Sequence, residues 1–496
     1  MSKKDLSYYI NKNVLIIKCK KRAKELSKLD KINQKPLSQY KTDAAIELGF
    51  KNWFDLHNNV KKKCELEFDI VNNKFKTDFD NLLKDRLNGM LTDIHIEARN
   101  PTGRIRTRSH GILTEFNSGK ELSYQYLLDF SNTILNLILP DADINLNDYN
   151  FSSGSGSYKV GNEKMLIRAQ FVPAYPQGFD LVLRVDHSKL YENFNSLTSL
   201  GYSQSHIKQI MEATSKSSGC FIIGATTGGG KETTLRALAN QLNKNRNKKI
   251  YSLENDVVYL KLDEGIESIH CPDNKEYDAN KSMYKAATEE ALKNDAEIIF
   301  IETIRDSATA KIIKESYQSA LFIASFHKQF APNFPERLND FGISSDTIAS
   351  PGFCHGFLSQ KLIPVVCPHC SKDVKSISND KDYEDYIEYL GTFGRKYPGV
   401  KLDNVRIRNR DGCSKCSYGI VSRTACAEVV VLDDNMRQLI KNDDLKGLRA
   451  YWQGLSDNNL LSDDMLGKTA HEHALSKMVS GLIDPLDVLN NFVPLK

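Results

Sequence analysis

Gly224-Ala225-Thr226-Thr227-Gly228-Gly229-Gly230-Lys231-Glu232-Thr233-Thr234 stands between two stretches of different character. Before it, Cys220-Phe221-Ile222-Ile223 is a compact, β-rich apolar run. After it, Leu235, Leu238, Ala239 and Leu242 recur at helical spacing. A strand, a glycine-rich turn, a lysine and a helix, in that order, form the context a phosphate-binding loop requires. Successive glycines let backbone N–H groups turn inward on phosphate oxygens, and the helix N-terminus adds its positive dipole. Thr227, Gly228, Gly229, Gly230, Lys231, Glu232 and Thr233 are therefore the candidate contacts for a nucleotide such as ATP, with Lys231 reaching the β- and γ-phosphates. Two departures from the strict G-x-x-x-x-G-K-[ST] pattern stand out. Ala225 occupies the place of the first glycine, and Glu232 the place of the hydroxyl that coordinates Mg²⁺. A carboxylate is a legitimate Mg²⁺ ligand, but beside phosphates it repels when the metal is absent.

Outward from the loop, Ile298-Ile299-Phe300-Ile301 and Leu321-Phe322-Ile323-Ala324 repeat the short apolar pattern. Such runs suit strands buried on both faces of a parallel sheet, alternating with helices in an α/β architecture. This core is expected over 203–355. Before it lie a basic helical docking domain (1–65), an α/β domain (66–188) and a polar linker (189–202). Within the first, Leu37 to Trp53 reads as a helix–turn–helix pair. Within the second, the Ser- and Gly-rich segment from Asn150 to Asn162 reads as a long loop or hairpin. After the core come a cysteine subdomain (356–430) and a helical C-terminal part (431–496).

A length of 496 residues suggests about three domains. Apolar residues make up 40% and charged residues 26%, a globular balance rather than a disordered one. No stretch approaches the ~18 uninterrupted apolar residues that cross a bilayer, and Val14 to Ile17 is too short for the core of a signal peptide. A cytoplasmic protein is expected. The net charge is only +4, yet residues 1–63 hold 16 Lys+Arg against 6 Asp+Glu. That excess fits a solvated helical face or an anionic partner or membrane surface. Nucleic acid is not indicated.

Cys367-Pro368-His369-Cys370 and Cys413-Ser414-Lys415-Cys416 are two C-x-x-C knuckles separated by 42 residues. Each presents two thiolates on one side of a tight turn, and two such pairs complete a tetrahedral sulfur site suited to Zn²⁺. His369 is not expected to be a ligand. The other six cysteines have no ligand spacing and read as small apolar residues.

These residues resemble the ATPases of type II secretion and type IV pilus assembly, in the branch that carries a tetracysteine. The resemblance runs from about Asp93 to Leu439, roughly 70% of the chain. Asp93-Ile94-His95-Ile96-Glu97, then Arg106, Arg108 and Gly111, are similar to the family's N-terminal-domain signature, with His110 where aspartate is usual. Ile167-Arg168 and Arg184 match later arginines. Leu253-Glu254-Asn255-Asp256 resembles the aspartate box, whose glutamate is taken as general base. Asp295 to Asp306 resembles the Walker B segment, but Glu302 stands in the glycine place and Thr303 in the glutamate place. Because strand side chains alternate faces, that offset turns Glu302 away from the metal unless a bulge at the strand end restores it. Ser325-Phe326-His327 matches the histidine box at its second histidine. Taken alone, His327 also fits a polar residue satisfied by backbone. Gly412, Gly419, Arg423 and Glu428 repeat the tetracysteine region.

The resemblance implies a P-loop NTPase (RecA-like) core with an α/β PAS-like N-terminal domain, a zinc-binding subdomain and helical ends. It implies a hexameric motor ATPase, using ATP and Mg²⁺, lying at the inner membrane beneath a platform protein. It further implies that Glu254, Glu302, His327, Arg168, Arg106 and Arg108 are catalytic, the arginines reaching nucleotide across a domain cleft. Two other readings stay open: a nucleotide-binding ring subunit that scaffolds or regulates a true motor, favoured by Glu232 and Thr303, and a conjugative DNA-transfer ATPase.

Overall fold

The computed structural model describes residues 23–24, 37–47, 54, 73–84, 91–116, 119–139, 146, 151–187, 195–245, 247–254, 264–271, 283–377 and 383–494. Contacts divide the chain into two units, Met1–Asp186 and His187–Lys496. Of the expected basic domain, Leu37–Glu47 is helical; residues 48–53 and Lys61 to Lys63 lie outside the described residues. So do residue 188 and residues 189–194 of the expected linker.

The first unit is built on an antiparallel sheet of seven strands: β1 (Leu91–Arg99), β2 (Thr102–Ser109), β3 (Ile112–Glu115), β4 (Leu122–Ser123), β5 (Ser152–Val160), β6 (Glu163–Ala174) and β7 (Gly178–His187). Their order is β3-β2-β1-β7-β6-β5, with β4 on β2. In β1, Ile94, Ile96 and Ala98 alternate with Asp93, His95 and Glu97, so the apolar set enters the core and the polar set lines the other face. The helix Tyr124–Ile138 covers the apolar face with Leu127, Phe130, Ile134 and Ile138, beginning where Ser123 Oγ accepts the Tyr126 N–H at 3.2 Å. Helix 73–84 adds Phe75, Phe79, Leu82 and Leu83 to the same core. The Ser- and Gly-rich segment is one arm of a hairpin, β5 on β6. Its glycines have a packing reason: a Cβ on Gly156 would collide with the carbonyl oxygen of Ile138, where the helix ends against the strand.

The second unit holds the parallel sheet expected from the apolar runs: β8 (Gly219–Ala225), β9 (Ile250–Glu254), β10 (Ile266–His270), β11 (Ile298–Ile301), β12 (Leu321–Phe326), β13 (Cys354–Val366) and, antiparallel at the edge, β16 (Ile420–Val431). The order is β10-β9-β11-β12-β8-β13-β16. β8 and β12 are wholly buried, which is why neither shows polar alternation. The chain leaves β8 for β9, three places away, and returns through β11 and β12 before crossing to β13. Strand order reverses at β8, and ligands of open α/β sheets bind beyond the carboxyl ends of strands at such a point. β13 and β16 also run outward from the sheet. The short pair β14 (Lys372–Asp373) and β15 (Arg406–Ile407) and the helix Glu384–Lys396 lie between them. Residues 356–366 and 420–430, assigned from sequence to the cysteine subdomain, thus belong in part to the main sheet. The C-terminal helices Ala470–Val479 and Pro485–Asn491 pack on this extension. Among the described residues no helix is long and apolar enough to cross a membrane.

Candidate functional site

The pairing register of the parallel strands brings the sequence-predicted groups of the second unit to one line. Ile301 pairs with Leu253 and Ala324, and Phe326 with Gly224. One step beyond lie Glu254, Glu302, His327 and the loop that begins at Thr226, all at the carboxyl ends of their strands. Glu302 follows the last residue of β11 and keeps the ladder, its N–H donating to the Leu253 carbonyl at 3.1 Å. Its carboxylate and that of Glu232 both act on Lys231. Burial lowers the pKa of the Lys231 ammonium, and the two carboxylates oppose that shift. Thr303, beside Glu302, is buried.

The loop has two glycines at positive φ, Gly228 (72°) and Gly230 (81°). Gly230 caps the helix Lys231–Asn243 from the left-handed region, which a β-carbon would strain. Leu235, Leu238 and Ala239 of this helix pack on the sheet, whereas Glu232 is exposed in its first turn. Lys231 Nζ lies 3.3 Å from His327 Nδ1. His327 is itself exposed. What burial it has, reinforced by Lys231 and Arg305, holds its pKa below the ordinary imidazole value. Ser252 Oγ donates to Glu254 Oε1 at 2.8 Å, fixing one carboxylate oxygen. Asp306, from the Walker B-like segment, caps the helix Ser307–Ser316 by accepting the Thr309 N–H at 2.8 Å.

Gln360 and Tyr202 carry no signal in the sequence, and Thr234 is known there only as the last residue of the glycine-loop segment. Gln360 is 1% exposed on β13, opposite Ala225 in register. Its Nε2 donates to the Gly229 carbonyl at 2.6 Å, and its Oε1 accepts from Thr234 Oγ1 at 2.9 Å and from the Tyr202 hydroxyl. Leaving such a buried group unpaired costs about 1–3 kcal/mol, so the amide has one orientation. No motif spacing points to a glutamine 131 positions from the loop residue it holds.

In the first unit, Arg106 and Arg108 share one sheet face with Asp93, His95 and Glu97. Arg106 and Arg104 both pair with Glu97, and although burial pushes its carboxyl up, these guanidinium groups hold it below the usual range. Arg108 donates to the Gly111 carbonyl at 2.9 Å and lies 3.7 Å from Asp93. Arg184 lies 3.2 Å from Asp93. Arg168 sits between the buried Ile167 and Ala169 and so projects from the face opposite the core. His110 and Gly111 form the β2–β3 turn at φ 51° and 85°.

The cysteine knuckles meet. Cys367 Sγ is 3.8 Å from Cys413 Sγ, Cys370 Sγ 3.7 Å from Cys416 Sγ, and Cys413 Sγ 3.6 Å from Cys416 Sγ. All four lie within 4.8 Å of one another. A tetrahedron of ~2.3 Å Zn–S bonds has edges of about 3.8 Å. The four sulfurs fit zinc. Exposed His369 is outside the set.

The profile of the family described as Type II/IV secretion system protein matches residues 72–468. The chain belongs to this family. Type II secretion system protein E of Pseudomonas aeruginosa is 28% identical over 354 residues, covering 71% of this chain and 64% of its own length. Type IV pilus assembly ATPase PilB of Thermus thermophilus is 26% identical over 355 residues, covering 70% of this chain and 36% of its own. The chain thus spans less than two thirds of the length of either curated relative. The X-ray structure of the Legionella pneumophila ATPase DotB shares the fold, with a TM-score of 0.55 over 84% of this chain and 94% of that one, at 16% identity. The secretion-family match covers both units, from the helix 73–84 of the first to the residues before the helix Ala470–Val479.

Proposed function

We propose that this secretion-family chain is a motor ATPase that hydrolyses ATP to drive type IV pilus assembly or type II secretion through an inner-membrane platform protein. It would work as a ring, a hexamer by the family resemblance, on the cytoplasmic side of the membrane. The observation that carries this reading is the line of Glu254, Glu302, His327 and Lys231 beside the glycine loop, at the point where strand order reverses. In this reading the second unit contains a P-loop core of RecA type, whose sheet takes in part of residues 356–366 and 420–430, and the first a PAS-like domain.

Each group then has a task. Thr227, Gly228, Gly229 and Gly230 offer backbone N–H groups to phosphate, and Lys231 leaves His327 to neutralise β- and γ-oxygens. Glu254, with one oxygen held by Ser252, orients the attacking water and accepts its proton. The carboxylates of Glu232 and Glu302, both acting on Lys231, are the hard oxygen donors that would hold Mg²⁺, with Thr233 adjacent; the ion would supply charge neutralisation at the phosphates. Cys367, Cys370, Cys413 and Cys416 would hold a structural zinc. Arg168, Arg106 and Arg108 would stabilise the charge that develops as the terminal phosphoryl leaves. Arg168→Ala should then lower turnover by about 10³-fold, with a much smaller change in ATP affinity measured by titration. Equal loss of both would make the arginine a ground-state contact.

Steady-state phosphate release by the purified protein, alone and with its platform partner, tests the whole reading. Turnover above background supports the motor. Binding of ATP without turnover favours a scaffolding ring subunit, the second reading, for which the exposed Glu232 in the place of a hydroxyl is the specific observation.

A further inference from the structure

We propose that Gln360 is the positioning residue of the glycine loop, acting through one peptide unit: it turns the Gly230 N–H toward the phosphate. The inference rests on the reading of the loop as a phosphate site. In a planar trans peptide the C=O and the following N–H point in opposite directions. Gln360 Nε2 holds the Gly229 carbonyl at 2.6 Å on the side of β13. The N–H of Gly230 must then point away from β13, into the mouth of the loop. Consistent with this, the Gly230 N–H makes no hydrogen bond to any other described residue.

The glutamine cannot do this in any other orientation. A carbonyl accepts only, so the Gly229 side must receive the amide nitrogen, and the opposite end must be the oxygen that takes the Thr234 and Tyr202 hydroxyls. Thr234 Oγ1 and the Tyr202 hydroxyl, 3.2 Å apart, close the network. The loop is also pressed on this strand, since a Cβ on Gly230 would come within 2.9 Å of Leu362 Cδ1 and 3.2 Å of Gln360 Nε2. Two glycines, at 228 and 230, make the loop able to flip the Gly229–Gly230 peptide, because glycine accepts φ of either sign. Gln360 removes that freedom before the nucleotide arrives.

The test is MgATP affinity, measured by calorimetric titration of the full chain. Gln360→Leu should weaken binding about tenfold, the scale of one hydrogen bond plus a misdirected donor, with Tyr202→Phe changing it less than threefold because Nε2 remains in place. Gln360→Glu gives a readout that a purely structural role would not move. Protonated, the acid can still donate to the Gly229 carbonyl; ionised, it cannot. Its affinity relative to wild type should therefore fall as pH rises through the titration of that carboxyl, followed from pH 4 to 9. Wild-type affinity in Gln360→Leu, or a flat pH ratio in Gln360→Glu, overturns the proposal. Failure of the wild-type chain to bind ATP any better than Lys231→Ala would instead remove the phosphate-loop reading itself. Should Gln360→Leu fail to fold, the pH series of Gln360→Glu against wild type decides alone.

Discussion

Lys231→Ala should reduce ATP turnover to background, and Glu254→Gln should lower it by about 10²–10⁴-fold while leaving ATP binding largely intact. The two losses have different origins. Lys231 is the buried cation beside the loop, 6% exposed, with its ammonium already opposed by two carboxylates. Without it, the polyphosphate would meet Glu232 and Glu302 with one fixed positive charge fewer, so binding and turnover fall together. Glu254 touches no loop residue among the contacts described; its Oε1 is held by Ser252, and its loss removes a base, not a phosphate contact. Glu232→Thr supplies the contrast. It restores the hydroxyl usual after the loop lysine and withdraws one carboxylate from the phosphates, so turnover should be preserved or raised. Phosphate release and ATP titration on the three variants separate these outcomes. A Glu254→Gln protein as active as wild type would refute the assignment of the base.

Removal of zinc should have the second large effect, on folding rather than on chemistry. Four thiols with sulfur separations of 3.6–3.8 Å would repel one another as thiolates without a cation between them. In zinc-finger peptides the ion supplies about 10–16 kcal/mol. Elemental analysis should find one Zn²⁺ per chain in protein purified without chelator under reducing conditions. Replacing Cys367 and Cys413 by Ser should raise hydrogen exchange through the segment between β13 and β16 while nucleotide binding at the loop persists. The separation of effects follows from position: the knuckles lie at the outer ends of β13 and β16, and Gln360, six residues before the end of β13, is where the strand meets the loop. Absence of metal would leave four reduced cysteines with only hydrogen-bonding contacts, and the subdomain reading would fail.

Much of the site was legible because it is local. The loop from Gly224 to Thr234 is contiguous, and the conformational freedom of its glycines and the charge of its lysine are properties of the residues themselves. The cysteine knuckles are legible for the same reason: a C-x-x-C turn presents two sulfurs together whatever surrounds it. The apolar runs of β8, β11 and β12 also declare themselves, because a strand buried on both faces has no polar alternation to confuse the pattern.

The place of Glu302 was not legible. Strand alternation alone leaves its direction open; in the structure β11 ends at Ile301, the next N–H is still bonded to Leu253, and the carboxylate lies near enough to favour the charged form of Lys231. The grip of Gln360 on Gly229 was invisible too. It depends on β13 crossing to pair beside β8, a contact between residues far apart in the chain. By itself, then, the sequence determined the glycine-rich turn between strand and helix, the α/β class, the metal-ready sulfurs and the family, because each rests on neighbouring residues or on motifs in order. Only the tertiary structure decided which carboxylates lie near Lys231, which residue orients the loop peptide and where the cysteine extension joins the sheet, because strand register and hydrogen-bond direction are set by pairing across the chain and not along it.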